Sequence, residues 1–134
     1  MSAKRLVTKP DHQKILSTLE SQELPHPVPP YFIQSLKKEL SKAKKLDPKE
    51  IPQDLITMNS KFVLRDLGNA EAFQFTLVYP EDSEDHTPVN GKISVLSPYG
   101  SAVLGARVGE VVRWLINGNE KYLRVQELLF QPED

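Results

Sequence analysis

Residues 97–110 read Ser-Pro-Tyr-Gly-Ser-Ala-Val-Leu-Gly-Ala-Arg-Val-Gly-Glu, and they allow little besides a very short helix stopped hard at both ends. Ser97 suits the N-cap, because its hydroxyl can accept from an orphan amide of the first turn. Pro98 suits the first helical position, where no amide donor is needed. Val103 and Leu104 supply the apolar contact. Gly105 can adopt the left-handed conformation that ends the helix. Gly109 marks a tight turn before the strand-like run Val111-Val112-Arg113-Trp114-Leu115-Ile116. A capped two-turn helix set between strands predicts a sheet that closes around it.

The flanking pattern supplies the rest of the fold. Thr8-Lys9-Pro10-Asp11 reads as a helix start with proline inside the first turn. Ile15, Leu16 and Leu19 then share one helical face. Leu24-Pro25-His26-Pro27-Val28-Pro29-Pro30 holds four prolines and must be a connector, since proline removes a helix hydrogen bond and clashes with the preceding turn. From Pro30 onward Ile33, Leu36, Leu40 and Ala43 form a second apolar stripe, with Lys37, Lys38, Lys42, Lys44 and Lys45 on the other faces. Two such stripes predict an antiparallel helical hairpin. Pro48 starts one more turn, capped by Asp47.

After Pro52 the period changes to two. Phe62 and Leu64 alternate with Val63 and Arg65 before the turn Asp66-Leu67-Gly68-Asn69. Phe73, Phe75, Leu77 and Tyr79 alternate with Gln74, Thr76 and Val78, the mark of a half-buried strand. Glu81 to His86 reads as a polar hairpin loop. Lys92 to Leu96 is a strand leading into the capped helix. Val111–Ile116 and Lys121–Phe130 form a last hairpin across Asn117-Gly118-Asn119. The predicted core is Phe62, Phe75, Leu77, Ile93, Val95, Val103, Leu104, Val112, Trp114, Leu123 and Val125. The fold class is therefore α+β: a short N-terminal antiparallel helical hairpin over 1–50, then an antiparallel sheet curled around one short helix over 51–134.

Composition narrows the function classes. The 134 residues contain no cysteine, which excludes a disulfide scaffold, a thiol nucleophile and a cysteine zinc site. No apolar run reaches the ~20 residues of a membrane span, and the opening residues do not read as a signal peptide. A cytoplasmic protein fits. Residues 1–50 hold ten Lys and Arg against six Asp and Glu, while residues 51–134 hold seven against twelve. A basic front thus meets an acidic back. The isoelectric point of about 6.3 argues against a dedicated or sequence-specific nucleic-acid binder.

Catalytic constellations are missing. His12, His26 and His86 are scattered with no ligand spacing, and the plain reading is three exposed histidines. Glu81-Asp82-Ser83-Glu84-Asp85-His86 lacks the glycine turn and spacing of an EF-hand. Gly100, Gly105 and Gly109 are not followed by the Lys-Ser/Thr of a phosphate loop. Ser97 has no nucleophile elbow around it. No metal or cofactor is implied. Tyr31-Phe32 places two aromatics on different helix faces, so at most one packs inward and the other can be exposed to contact a partner.

The block Ser97–Glu110 resembles the C-terminal domain of the bacterial Gre transcript-cleavage factors, where Ser-Pro, two or three residues, Ala-Leu-Leu-Gly, and then Gly-Asp lead into a strand. Leu55–Ser60 is similar to that family's first strand of the domain, and Tyr122–Phe130 to its closing hairpin, so the match runs over about 51–131. Met58-Asn59-Ser60, Leu77-Val78-Tyr79-Pro80 and Leu128-Leu129-Phe130-Gln131-Pro132 look most like the branch of regulators of nucleoside diphosphate kinase (Rnk).

The resemblance implies an FKBP-like C-terminal domain. It implies docking on the rim of the RNA polymerase secondary channel, against a coiled coil of the β-prime subunit. The family contact maps onto Ser97 and Pro98, with Leu96 where some members carry an acid and Tyr99 and Gly100 completing the segment. An exposed helix N-terminus there would suit an acceptor on the partner. Gre factors also carry paired carboxylates at the tip of a long coiled coil, which hold magnesium. Here the connector offers only Glu20 and Glu23 among prolines, and a helix of roughly fifteen residues spans about 22 Å. The implied protein is not an enzyme. It is a polymerase-binding regulator that competes with Gre-type factors. A peptidyl-prolyl isomerase and a direct regulator of nucleoside diphosphate kinase are the alternatives.

Overall fold

The computed structural model describes residues 5–21, 28–80, 91–116 and 118–132. Strand β1 (Leu6–Thr8) leads into helix α1 (Lys9–Glu20). Helix α2 (Pro30–Lys42) is followed by β2 (Lys44–Leu46) and a 3-10 turn (Pro48–Glu50). The second half contains β3 (Lys61–Asp66), β4 (Ala72–Val78), β5 (Lys92–Ser94), helix α3 (Pro98–Val103), β6 (Val111–Ile116) and β7 (Asn119–Phe130). Thr8 caps α1 as expected, its hydroxyl accepting from the Asp11 amide at 3.2 Å. Asp47 makes no side-chain cap; its carboxylate pairs with Lys9 at 3.1 Å instead.

The main sheet has the order β5-β4-β3-β7-β6. Its two edge strands, β5 and β6, both pack against α3, and this closes the sheet around the short helix. Two register shifts in the β3–β7 ladder add local twist to the curl. The sheet is mixed, not antiparallel throughout: β4 and β5 are parallel, with Leu77 opposite Ile93. Parallel neighbours need a crossover instead of a tight hairpin. The thirteen residues between Val78 and Lys92 supply that length, so they do not form the hairpin loop read from the sequence. The acidic stretch 81–86 itself lies outside the described residues.

Two further differences are local. Leu55–Ser60 is a buried turn and not a strand. The Ser60 hydroxyl accepts from the Thr57 amide at 2.9 Å, and Asn59 sits at a positive φ of 66°, which asparagine tolerates better than most residues. At the other end, β1 and β2 form a parallel pair, Leu6 opposite Lys44, that no periodicity announces in segments of three residues.

All eleven predicted core residues are buried. Ile15 and Leu19 of α1 and Leu36 and Leu40 of α2 join them in one apolar cluster through Val7, Ile56, Met58 and Tyr79. Each such aliphatic side chain contributes about 1.5–3 kcal/mol by leaving water. His12 is buried as well, against the reading of three exposed histidines. Its Nε2 lies 3.0 Å from the Leu40 carbonyl and donates to it, tying the start of α1 to the end of α2. Asp11, beside it, accepts from the Met58 amide at 3.1 Å and the Tyr79 hydroxyl at 3.3 Å, and so fastens α1 to the sheet. Among the described residues no helix is long and apolar enough to cross a membrane.

Candidate functional site

The Ser-Pro helix is built on the turn that leaves β5. The Ser94 carbonyl accepts twice from Ser97, from its amide at 3.0 Å and its hydroxyl at 2.7 Å. The same hydroxyl accepts from the Gly100 amide at 3.1 Å, completing the predicted N-cap. The Ser94 hydroxyl in turn accepts from the Leu96 amide at 3.0 Å. The C-terminal end is equally constrained. Gly105 takes a φ of +83° and donates its amide to the Ile56 carbonyl at 3.0 Å, and the Ile56 amide donates to the Ala106 carbonyl at 2.8 Å. Arg5 reaches in from the N-terminal segment and donates from Nη1 to the Ser101 carbonyl at 2.9 Å, while its other nitrogen faces Glu39 at 3.6 Å. Burial pulls the Arg5 pKa down and Glu39 pushes it back up.

This frame sorts the five candidate contact residues. Leu96, Ser97 and Gly100 are buried. Ser97, at 1% exposure, has its hydroxyl committed to Ser94 and Gly100, so it shapes the helix start without facing a partner. Pro98 is exposed, and Tyr99 is half-buried with its ring edge-on to Trp114 at 5.1 Å. The surface of the segment is therefore Pro98 and one side of Tyr99.

Two hollows flank it. A groove of about 290 Å³ separates Leu96, Ser97 and Pro98 from Val28, Pro29, Tyr31 and Phe32 at the start of α2. Phe32 packs inward while Tyr31 is 76% exposed, which resolves the aromatic pair as the sequence anticipates. A second hollow of about 370 Å³ has Phe73, Phe75, Trp114 and Leu123 as its apolar floor and Asp66, Asn69, Glu71 and Lys121 at its rim. Phe75 and Trp114 meet edge-on at 5.6 Å, and the Trp114 indole nitrogen is buried without a hydrogen-bond partner. Asp66 is held below the usual carboxylate range by the Gly68 amide and by Lys121, 3.4 Å away. The sequence places Phe75 and Trp114 in the core; together with Phe73 they also line a cavity.

Other candidates do not converge. Glu20 ends α1 in an exposed position, and Glu23, His26 and His86 lie outside the described residues. Among the described residues no group of three or more His, Asp and Glu side chains is placed to hold a metal ion. The sequence reading missed Arg5, which joins the N-terminal segment to α3, Asp11, which joins α1 to the second half of the chain, and His12, which ties α1 to α2. Only the helix-start signal at Thr8-Lys9-Pro10-Asp11 lay near them.

Known proteins share this arrangement. A family profile described as "Transcription elongation factor, GreA/GreB, C-term" matches residues 51–128, more than half of the chain. The chain belongs to the GreA/GreB family. Within that family it fits the Rnk branch: it is 42% identical over 100 residues to the regulator of nucleoside diphosphate kinase of Escherichia coli strain K12, covering 74% of this chain and 71% of that protein. It is also 41% identical over 80 residues to transcription elongation factor GreA of Chloroherpeton thalassium, covering 60% of this chain but 49% of that factor. Among solved structures, a prokaryotic transcription elongation factor GreA/GreB from Nitrosomonas europaea superposes with a TM-score of 0.77 at 33% identity, over 96% of this chain and 100% of that one. These relatives are regulators and transcription elongation factors, and this GreA/GreB family member shares their C-terminal fold.

Proposed function

We propose that this GreA/GreB family member is a non-catalytic transcription regulator that docks on RNA polymerase through the Pro98–Tyr99 edge of α3. The observation that carries this is the double-ended clamp on a six-residue helix: Ser94 and Ser97 at one end, Ile56 and Arg5 at the other, with Pro98 left facing solvent. So much constraint around one exposed prolyl ring gives a rigid contact surface, which lowers the ordering cost of association. In this reading the partner is a coiled coil of the β-prime subunit at the secondary channel rim, and residues 51–134 carry the docking while residues 1–50 occupy the channel mouth. Helices α1 and α2 have 12 and 13 residues, and at ~1.5 Å per residue they reach about 20 Å. That length excludes a longer factor without delivering carboxylates to the active centre.

The test is capture of purified core polymerase by the tagged chain, repeated with excess Gre factor. Binding that the Gre factor displaces is the expected result; absence of binding rejects the reading. An effect on nucleoside diphosphate kinase, the activity in the relative's name, then follows through transcription, and purified kinase mixed with the chain keeps its rate.

One observation favours a second reading. The aromatic-floored hollow at Trp114 has the apolar lining that a peptidyl-prolyl isomerase needs. Shared architecture does not transfer activity. A proline-isomerisation assay with a tetrapeptide substrate separates the two readings, and catalysis lost on Trp114→Ala would favour the isomerase.

A further inference from the structure

The groove beside Pro98 joins two parts of the chain that the sequence separates by more than sixty residues. One wall is the Leu96-Ser97-Pro98 step. The other is the start of α2, where Val28 and Phe32 pack against the core and hold the wall rigid. Tyr31 stands at its rim with three-quarters of its surface in solvent. The one hydroxyl in the Ser-Pro wall is that of Ser97, which already donates to Ser94 and accepts from Gly100. An occupant therefore finds largely apolar walls and no unspent side-chain hydroxyl on that side. Exposed tyrosine beside a preformed apolar groove has the composition of an interface core.

Charge decides what kind of occupant continues beyond the groove. From Tyr31, steps of four, three and four residues along one face of α2 lead to Ser35, Lys38 and Lys42, all exposed. The acid on this helix, Glu39, faces Arg5 instead. A chain seated on Tyr31 and running along that face meets positive charge.

We propose that the groove between Tyr31 and Pro98 is the second half of the docking surface, and that it takes an apolar segment of the polymerase flanked by acidic side chains that face Lys38 and Lys42. This rests on the reading that polymerase docks at Pro98, and it adds the helical segment as a determinant of affinity. Shape at the groove and charge along α2 then act on the same partner segment, so binding depends on both halves of the chain.

The full-length chain is titrated against core RNA polymerase by biolayer interferometry, at low and at physiological salt, for Tyr31→Ala, Tyr31→Phe, the pair Lys38→Glu with Lys42→Glu, and Pro98→Ala. Melting curves accompany each variant; all four positions are solvent-facing, so near-normal melting is expected. Tyr31→Ala should weaken binding about tenfold, as truncation of a central interface aromatic does, and Tyr31→Phe should retain it. The charge reversal should weaken binding and flatten its salt dependence. If Pro98→Ala weakens binding while Tyr31→Ala and the charge reversal do not, the groove proposal is overturned and the Pro98 docking reading stands. If none of the variants changes affinity, both fall.

Discussion

The α-carbon of Gly100 lies against the carbonyl of Ser94 so closely that a β-carbon there would come within 1.9 Å of the oxygen. That contact lets α3 sit directly on the turn leaving β5, where Ser97 can bond both Ser94 and Gly100. Gly100 has an ordinary helical backbone, so the requirement is for space and not for a left-handed conformation.

Gly100→Ala must therefore move backbone against backbone. Overpacking of this kind costs about 1–3 kcal/mol, and the absence of any flexible side chain to yield puts the expectation at the upper end. Urea denaturation measures it. A variant as stable as the parent would show that α3 can lift off Ser94 without penalty.

Ser97 and Pro98 should respond in opposite ways. Ser97→Ala removes a cap and a second buried hydrogen bond, for a loss of about 1–2 kcal/mol. Pro98→Ala leaves the helix start intact, because alanine is well tolerated in a first turn. Polymerase affinity should fall for Pro98→Ala despite a near-normal melting temperature. Unchanged affinity in that folded variant returns the segment to a purely architectural role.

Asp11 gives the stability a pH dependence. Burial raises its pKa above the ordinary range, against opposing hydrogen bonds from the Met58 amide, Thr8 and the Tyr79 hydroxyl and the charge of Lys14. The folded chain thus binds this proton more tightly than the unfolded chain does. Its contribution is fully present below the ordinary aspartate value near 4 and is lost as pH rises from there through the raised folded value. Asp11→Asn should remove that slope from stability measured between pH 4 and pH 7. Asp11→Ala should cost about 1–3 kcal/mol, since it leaves the Met58 amide without its partner.

Transcript cleavage supplies a functional check. Glu20 stands exposed at the end of α1 and no metal-holding cluster occurs among the described residues. Activation of a metal-bound water needs several carboxylates around one ion. Backtracked elongation complexes incubated with the chain and magnesium should yield no shortened RNA. Cleavage products that appear with the chain and vanish on Glu20→Ala would contradict this.

The local devices were legible in the sequence because each acts over a few residues. Ser97 as cap, Pro98 at the first position, Gly105 at the helix end and the period-two burial of Phe62, Phe75 and Leu77 depend only on neighbours along the chain. The same holds for the apolar stripes of α1 and α2. Tertiary structure alone decided what lies beside what. Nothing near residue 78 states that β4 will run parallel to β5, since strand direction is set by which partner the edge meets after the crossover. His12 and Asp11 look like surface residues of a first helical turn until Leu40, Met58 and Tyr79 close over them. The groove between Tyr31 and Pro98 exists only because two distant segments share one core, and a cavity has no signature in either segment by itself.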